Sequence, residues 1–148
     1  MTKDQSNNFY RRLRNIEETF LCGREIVNKF PQAKLILLFG QLGAGKTSLV
    51  KGIAAELGIA EPITSPTFSL SNHYLDGLTP LIHMDLYRLE NVNSANELFL
   101  QEEEFAQSIN GITVVEWSER LNLKLSEAVK FKIDYLKNDM RSIKHFND

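Results

Sequence analysis

Apolar and polar residues follow one another in blocks that predict both strands and helices. The run Leu35–Phe39 is apolar throughout, which is typical of a short strand buried on both faces. A helix is predicted after the glycine-rich stretch that follows, because apolar residues recur there at helical spacing, at Leu49, Val50, Ile53, Ala54 and Leu57. This strand, loop and helix form the most strongly patterned part of the chain.

A second helix is predicted over residues 16–30. Its apolar face consists of Ile16, Phe20, Gly23, Val27 and Phe30. Asn15, followed by Glu18 three residues later, is a typical N-terminal cap, and Pro31 ends the helix. The apolar face is therefore expected to cover the sheet.

The other blocks complete an alternating order of strands and helices. Strands are predicted at 9–13, 67–74, 81–86, 112–115, 129–133 and 141–146, one or two helices at 94–108, and a helical or irregular segment at 119–125. The turn signal Asp76-Gly77 indicates an antiparallel hairpin. The fold class expected is α/β: a single three-layer domain over residues 1–148, with a central, mostly parallel sheet and antiparallel edge strands. Residues 1–8 are polar and are expected to be mobile.

Composition narrows the classes of protein that remain. The chain has 148 residues, 43% of them hydrophobic and 24% charged, as in an ordinary globular domain. A net charge of −2 argues against an extensive nucleic-acid surface. The single cysteine, Cys22, excludes an internal disulfide and fits a reducing cytoplasm. No apolar run has the length of a membrane span, so no membrane partner is expected.

The loop after the first buried strand has the sequence of a phosphate-binding P-loop. Gly40-Gln41-Leu42-Gly43-Ala44-Gly45-Lys46-Thr47 matches G-x-x-x-x-G-K-[ST]. Glycines let backbone N–H groups turn toward phosphate, and the following helix adds its positive dipole end. Lys46 can reach the β- and γ-phosphates, and the Thr47 hydroxyl can bind Mg²⁺. Because the loop lies between a strand and a helix, a P-loop NTPase domain is favoured over a chance glycine-rich turn.

A magnesium-dependent enzyme of this class also needs a carboxylate at the end of a neighbouring strand. Glu116 follows the apolar strand 112–115, and Asp85 lies at the end of the strand 81–86. Ligands of open α/β sheets bind at the carboxyl ends of strands, so both residues are candidates. Either one is alternatively an acid that faces solvent.

Three further features are weaker signals. The hydroxyl-rich segment 64–68 is either a loop that orders around the γ-phosphate and Mg²⁺ or a plain proline turn. The three histidines, His73, His83 and His145, lack metal-ligand spacing and are predicted to be structural. Trp117 is expected to pack over a strand end.

Four motifs in this order resemble those of the bacterial TsaE family. They are GQLGAGKTS, TSPTF, HMDLYRL and VVEW, and the resemblance extends from about Asn15 to Arg141. The P-loop alone is unspecific, whereas the other motifs in combination are specific. TsaE proteins are P-loop ATPases required for N6-threonylcarbamoyladenosine at position 37 of certain tRNAs. The resemblance therefore implies an ATP-binding hydrolase that acts in tRNA modification.

The resemblance also implies site residues. The phosphates would be held by Gly43, Ala44, Gly45, Lys46, Thr47 and Ser48, with Thr19 and Arg141 near the nucleotide. Mg²⁺ would be held by Thr47 and Glu116, and Asp85 would act near the metal or the attacking water, so that Lys46, Asp85 and Glu116 form the catalytic set. A switch-like loop would consist of Ser65, Pro66, Thr67 and Phe68.

The partners that the resemblance implies are two related proteins, TsaD and TsaB. TsaD transfers the carbamoyl group to tRNA, and hydrolysis of ATP by TsaE would reset the complex. This chain departs from the family at Gln41, where an aspartate is usual, and at Ser48, where threonine is frequent. Ser48 keeps the hydroxyl, whereas Gln41 removes a charge beside the phosphates.

Three alternatives share the P-loop. A small-molecule kinase usually needs an arginine-rich lid, but only Arg120 and Arg141 follow residue 88. A regulatory GTPase would carry N-K-x-D and D-x-x-G motifs, which the sequence lacks. A nucleotide-dependent scaffold without useful turnover makes no further demand on the sequence.

Overall fold

The computed structural model describes residues 9–40, 45–66 and 68–147. The strands are β1 (Tyr10–Leu13), β2 (Leu35–Gly40), β3 (Ser71–Tyr74), β4 (Leu81–Asp85), β5 (Ile112–Glu116), β6 (Val129–Tyr135) and β7 (Arg141–Phe146). The helices are α1 (Ile16–Lys29), α2 (Lys46–Glu56) and α3 (Val92–Ser108), and a short 3-10 helix spans Ser118–Arg120.

The described strands form one sheet in the order β1-β7-β6-β2-β5-β4-β3. The central strands β6, β2, β5 and β4 are parallel to one another. The outer strands β3, β7 and β1 pair in the antiparallel direction. This arrangement confirms the α/β fold class, with a mostly parallel centre and antiparallel edges.

Helices cover both faces of the sheet. Side chains of β2 alternate between the two cores: Ile36 and Leu38 belong to one apolar cluster, and Leu35 and Leu37 to the other. The first cluster includes residues of α1 and α2, and the second includes residues of α3 such as Phe99. Because β2 has a core on each side, its unbroken apolar sequence is explained.

Two glycines allow α1 and α2 to approach closely. A Cβ atom at Gly52 would lie 1.9 Å from the carbonyl oxygen of Phe20, and one at Gly23 would lie 2.2 Å from the carbonyl oxygen of Leu49. No side chain fits at either distance, so the backbones of the two helices are in direct contact. This contact fixes α2, which begins at the P-loop, against the rest of the fold.

The buried face of α1 differs from the predicted one. The residues that α1 buries are Thr19, Cys22, Gly23 and Ile26, whereas Ile16 is 62% exposed. The most buried positions are therefore shifted by about one residue from the predicted face, although Gly23 belongs to both, and Val27 and Phe30 are partly buried against the core. The glycine contact turns Gly23 toward α2 and carries the neighbouring positions with it. The cap was correctly predicted, since Asn15 Oδ1 accepts a hydrogen bond of 2.8 Å from the Glu18 N–H.

The strand predicted at 67–74 is shorter in the structure. It begins only at Ser71, because Leu70 has a positive φ of 66° that extended strands do not allow. The hairpin of β3 and β4 is confirmed. Segment 94–108 is one helix, capped by Asn91, whose Oδ1 accepts a hydrogen bond from the Ser94 N–H at 3.1 Å.

Two expectations concern the chain as a whole. Residues 1–8, predicted to be mobile, lie outside the described residues. Within the described ranges, no helix combines the length and the apolar character that a membrane span requires.

Candidate nucleotide site

The predicted site lies where parallel strands end and α2 begins. β2 ends at Gly40, and Lys46 is the first residue of α2. Gly45 precedes the helix with a φ of 97°, a left-handed conformation that favours glycine. Gly43 and Ala44, predicted to bind phosphate, lie outside the described residues, as does Gln41.

Lys46 is buried at this edge of the sheet and is only 4% exposed. Its Nζ donates a hydrogen bond of 2.7 Å to the carbonyl oxygen of Gly40 and lies 4.2 Å from the centre of the Trp117 ring. Burial lowers the pKa of the Lys46 ammonium, while the carboxylates of Glu119, Glu116 and Asp85 act in the opposite direction. The Lys46 ammonium thus lies beside the end of β2. Among the described residues, its hydrogen bond is to a backbone carbonyl group and not to a carboxylate.

Thr47 and Glu116 come together across the sheet. The Thr47 hydroxyl lies 3.3 Å from Glu116 Oε2 and 3.5 Å from Oε1. Glu116 is the last residue of β5 and pairs with Leu38 of β2, which brings it beside the first turn of α2. The two predicted magnesium ligands therefore share one position in the fold.

Asp85 ends β4 and is paired in register with Glu116. It is half-buried, whereas Glu116 is 3% exposed. Its Oδ1 accepts a hydrogen bond of 3.0 Å from the Tyr87 N–H, and its Oδ2 accepts one of 3.3 Å from the Ser65 hydroxyl. The structure thus places Asp85 beside Glu116 and connects it to the predicted switch loop.

The loop at Ser65, Pro66 and Phe68 is anchored at one end and exposed at the other. Pro66 is buried and its carbonyl oxygen accepts a hydrogen bond of 3.1 Å from the Leu70 N–H. Phe68 is 85% exposed, with the Arg88 guanidinium 4.9 Å from its ring centre. Thr67, the remaining predicted switch residue, lies outside the described residues.

Arg141 approaches the start of α2 from β7. A Cβ atom at Gly45 would lie 2.9 Å from Arg141 Nε, so glycine is needed there for this contact too. The Nε is buried and has no hydrogen-bond partner among the described residues. An unpaired donor of a guanidinium beside a P-loop suits an anionic ligand.

The other two residues predicted to contact the nucleotide are Ser48 and Thr19. Ser48 is half-buried in the first turn of α2. Thr19 is fully buried in α1, and its hydroxyl donates a hydrogen bond of 3.2 Å to the carbonyl oxygen of Asn15. It lies one turn before Gly23, the residue that contacts Leu49 of α2.

Sequence reasoning missed two residues at this edge. The Gly40 N–H donates a hydrogen bond of 2.9 Å to Glu119 Oε2. His83, predicted to be merely structural, has its Nε2 2.5 Å from Glu116 Oε2. Their positions next to the motifs could have indicated both residues. Glu119 follows the motif VVEW by two residues, and His83 is the first residue of the motif HMDLYRL.

The donors present suit a magnesium–nucleotide complex better than an ion held by protein alone. Among the described residues, no group of three or more His, Cys, Asp and Glu side chains is placed to hold a metal. Magnesium usually binds one or two protein oxygens together with substrate phosphates and water. The hydroxyl of Thr47 and the carboxylate of Glu116, next to a P-loop, match that requirement.

Comparison with known proteins agrees with the geometry. A family model described as "Threonylcarbamoyl adenosine biosynthesis protein TsaE" matches residues 13–143. The chain is 43% identical to the tRNA threonylcarbamoyladenosine biosynthesis protein TsaE of Nostoc sp., over 91% of this chain and 82% of that protein. Identity to the Bacillus subtilis protein of the same name is 36%, over 87% and 79%.

A solved structure supports the same relationship. The crystal structure of Bacillus subtilis YdiB superposes with a TM-score of 0.68 and 30% sequence identity, covering 93% of this chain and 83% of that one. The fold and the motif at the end of β2 place the chain among the α/β proteins of the P-loop NTPase class. It belongs to the TsaE family, whose members take part in threonylcarbamoyladenosine biosynthesis on tRNA.

Proposed function

We propose that the chain is a magnesium-dependent ATPase that acts on a TsaB–TsaD complex during threonylcarbamoyladenosine modification of tRNA. The observation that carries this proposal is the convergence of Lys46, Thr47 and Glu116 at the start of α2. Lys46 and Thr47 begin α2, and Glu116 ends β5, the strand that pairs with β2. Their chemistry is that of a site for a phosphate chain and its metal ion.

Each residue has a separate role in binding the nucleotide. The Lys46 ammonium donates hydrogen bonds to oxygens of the β- and γ-phosphates in place of its bond to the carbonyl oxygen of Gly40, and Arg141 supplies a second cation at the same end of α2. Thr47 and Glu116 are the residues that would hold Mg²⁺ beside the phosphates. When bound, Mg²⁺ offsets the negative charge that develops as the γ-phosphoryl group is transferred.

The structure favours Asp85 over Glu116 as the residue that orients water. Glu116 is buried, and its carboxylate already interacts with Thr47 and His83. Asp85 is half-buried, and its Oδ2 contacts Ser65 of a surface loop. An oriented water attacks the γ-phosphorus in line while the bond from the γ-phosphorus to the bridging oxygen breaks. The bridging oxygen leaves with ADP, one proton of the water passes to solvent, and inorganic phosphate is released.

Partners are proposed to raise the rate of this reaction. A cationic group supplied in trans is worth about 10³ to 10⁵ in rate in other P-loop enzymes. We therefore expect slow hydrolysis by the isolated chain and faster hydrolysis with TsaB and TsaD. Phe68 is exposed and belongs to the same loop as Ser65, whose hydroxyl contacts Asp85. A protein that binds Phe68 can therefore act on the site through this loop.

The test is ATP hydrolysis by the purified chain, alone and with a TsaB–TsaD pair from the same organism. Lys46→Ala is the inactive variant, and Lys51→Ala, an exposed change in the same helix, is its matched control. We expect stimulation by the pair that Lys46→Ala abolishes and Lys51→Ala retains. Glu116→Ala is expected to retain nucleotide binding and lose hydrolysis.

Other outcomes would favour the alternatives. Isolated chain that already turns over at the rate of the complex would contradict partner gating. Tight ATP binding without hydrolysis in any mixture would favour a scaffold. Transfer of the γ-phosphoryl group to a metabolite instead of water would identify a kinase.

A further inference from the structure

His83 lies fully buried in the middle of β4, opposite Val114 of β5. Its Nε2 is 2.5 Å from Glu116 Oε2. The same oxygen lies 3.3 Å from the Thr47 hydroxyl. Oε2 of Glu116 is therefore within hydrogen-bond distance of both the buried histidine and the P-loop threonine.

The surroundings of the second ring nitrogen identify the tautomer. His83 Nδ1 is buried without a hydrogen-bond partner among the described residues. A proton on Nδ1 would leave a buried donor unpaired, whereas a bare lone pair there costs less. The proton is therefore assigned to Nε2, from which it is donated to Glu116.

This contact has a consequence for the geometry of the carboxylate. A carboxylate that accepts two hydrogen bonds at Oε2 is restricted in rotation about its last side-chain bond, because both donors are fixed. His83 belongs to a central strand and Thr47 to the first turn of a helix. Oε1 of Glu116, which lies 3.5 Å from the Thr47 hydroxyl, is thereby kept in one direction, with lone-pair capacity left for an ion or its bound water.

We propose that His83 is a positioning residue, which orients Glu116 for Mg²⁺ through a hydrogen bond from Nε2. The inference rests on the proposed function, since it assumes that Glu116 serves a magnesium–nucleotide complex. Groups that orient metal ligands in this way typically change metal affinity or activity by about 10- to 100-fold when removed. A buried histidine that served packing alone would have no such effect.

The test compares His83→Leu, which removes the donor, with His83→Gln, which can place an amide N–H near the position of Nε2. His145→Leu serves as the matched control, because His145 is a buried histidine of β7 packed against Phe30 and Phe131. Binding of a non-hydrolysable ATP analogue is titrated with Mg²⁺ and in the presence of a chelator. The readout is the Mg²⁺ concentration that gives half of the metal-dependent gain in affinity.

We expect His83→Leu to raise this concentration by about 10-fold or more, as for other lost partners of metal ligands. Affinity for the analogue in the chelator should stay near that of the unchanged protein. His83→Gln should recover most of the loss, and His145→Leu should behave as the unchanged protein. Nitrogen-15 NMR of the unchanged protein should show a proton on Nε2 of His83.

Three results would overturn the inference. They are a Mg²⁺ titration of His83→Leu that matches the unchanged protein, equal impairment of the Leu and Gln variants, and an Nε2 that carries no proton. The NMR result and the Gln variant decide the matter if His83→Leu does not fold. If Mg²⁺ leaves analogue binding by the unchanged protein unaltered, the proposed function fails and this inference fails with it; a normal metal effect with unaffected variants refutes the inference alone.

Discussion

Gly40 is held by two hydrogen bonds at the edge of the candidate site. Its N–H donates to Glu119 at 2.9 Å, and its carbonyl oxygen accepts from Lys46 at 2.7 Å. The last residue of β2 is thus fixed on both sides before the loop begins. Under the proposed function, Lys46 would exchange its hydrogen bond to Gly40 for one to phosphate, so part of the free energy of phosphate binding would be offset by the bond that is lost.

Also at the residue scale, the pKa of the buried Cys22 thiol leads to a measurable dependence of stability on pH. Burial raises the pKa of the Cys22 thiol from its ordinary value near 9.0 to about 12. Between pH 9.0 and about 12, the thiol therefore stays protonated in the folded chain and is deprotonated in the unfolded chain. The free energy of unfolding falls as the pH rises through this range. The contribution lost between pH 8 and pH 10 is expected to be about 1.4 kcal/mol, the equivalent of one pKa unit.

Urea denaturation of the unchanged protein and of Cys22→Ala at pH 8 and pH 10 checks this prediction. The variant lacks the thiol, so it should lose less stability over the same interval, while other groups titrate alike in both proteins. The thiol should also resist a disulfide reagent until the chain unfolds. Equal losses of stability in the two proteins would show that Cys22 is accessible to water in the folded state.

At the scale of elements, the contact of α1 with α2 depends on Gly52. Replacement of a helical glycine by alanine normally stabilises by about 1 kcal/mol. Here the added Cβ would lie 1.9 Å from the Phe20 carbonyl oxygen, a backbone atom that moves only with the helix. We expect Gly52→Ala to destabilise the fold by about 2 kcal/mol, within the range for overpacked cores.

Denaturant unfolding without nucleotide measures this effect. Lys51→Ala is exposed, next in sequence and in the same helix, so it should stay within about 0.5 kcal/mol of the unchanged protein. A stabilised Gly52→Ala variant would mean that the two helices are free to separate.

The elements themselves were largely predictable, because their signals are local. The apolar run of β2, the Asn15 cap and the turn signal before β4 were each confirmed. The rotation of α1 and the start of β3 were not predictable, since each depends on a contact with a distant segment or on one backbone angle. Glu119 and His83 were missed for the same reason: their partners, Gly40 and Glu116, lie 79 and 33 residues away.

At the scale of the whole molecule, the candidate site draws on most of the sheet. Lys46 and Thr47 follow β2, Asp85 and Glu116 end β4 and β5, and Arg141 begins β7. A ligand that binds them all stabilises the folded chain as a unit and not one loop of it. An ATP analogue with Mg²⁺ at 100 times its dissociation constant should add about 2.7 kcal/mol.

Thermal unfolding measures this addition as a rise in Tm of about 5 to 10 °C for a chain of this size. Lys46→Ala should show little of it at the same analogue concentration, and Lys51→Ala should show all of it. Binding that is measurable by titration but leaves Tm unchanged would mean that the site belongs to a part of the chain that opens on its own.

The pairing of β1 with β7 sets the order in which the molecule can be completed during synthesis. Because β1 lies beside β7 in the sheet, Tyr10–Leu13 has no strand to pair with until residues 141–146 have been synthesised. Arg141 arrives with the same strand and lies against Gly45, made almost a hundred residues earlier. A nascent chain therefore carries its P-loop sequence long before Arg141, and it can complete the candidate site only after β7 has been made.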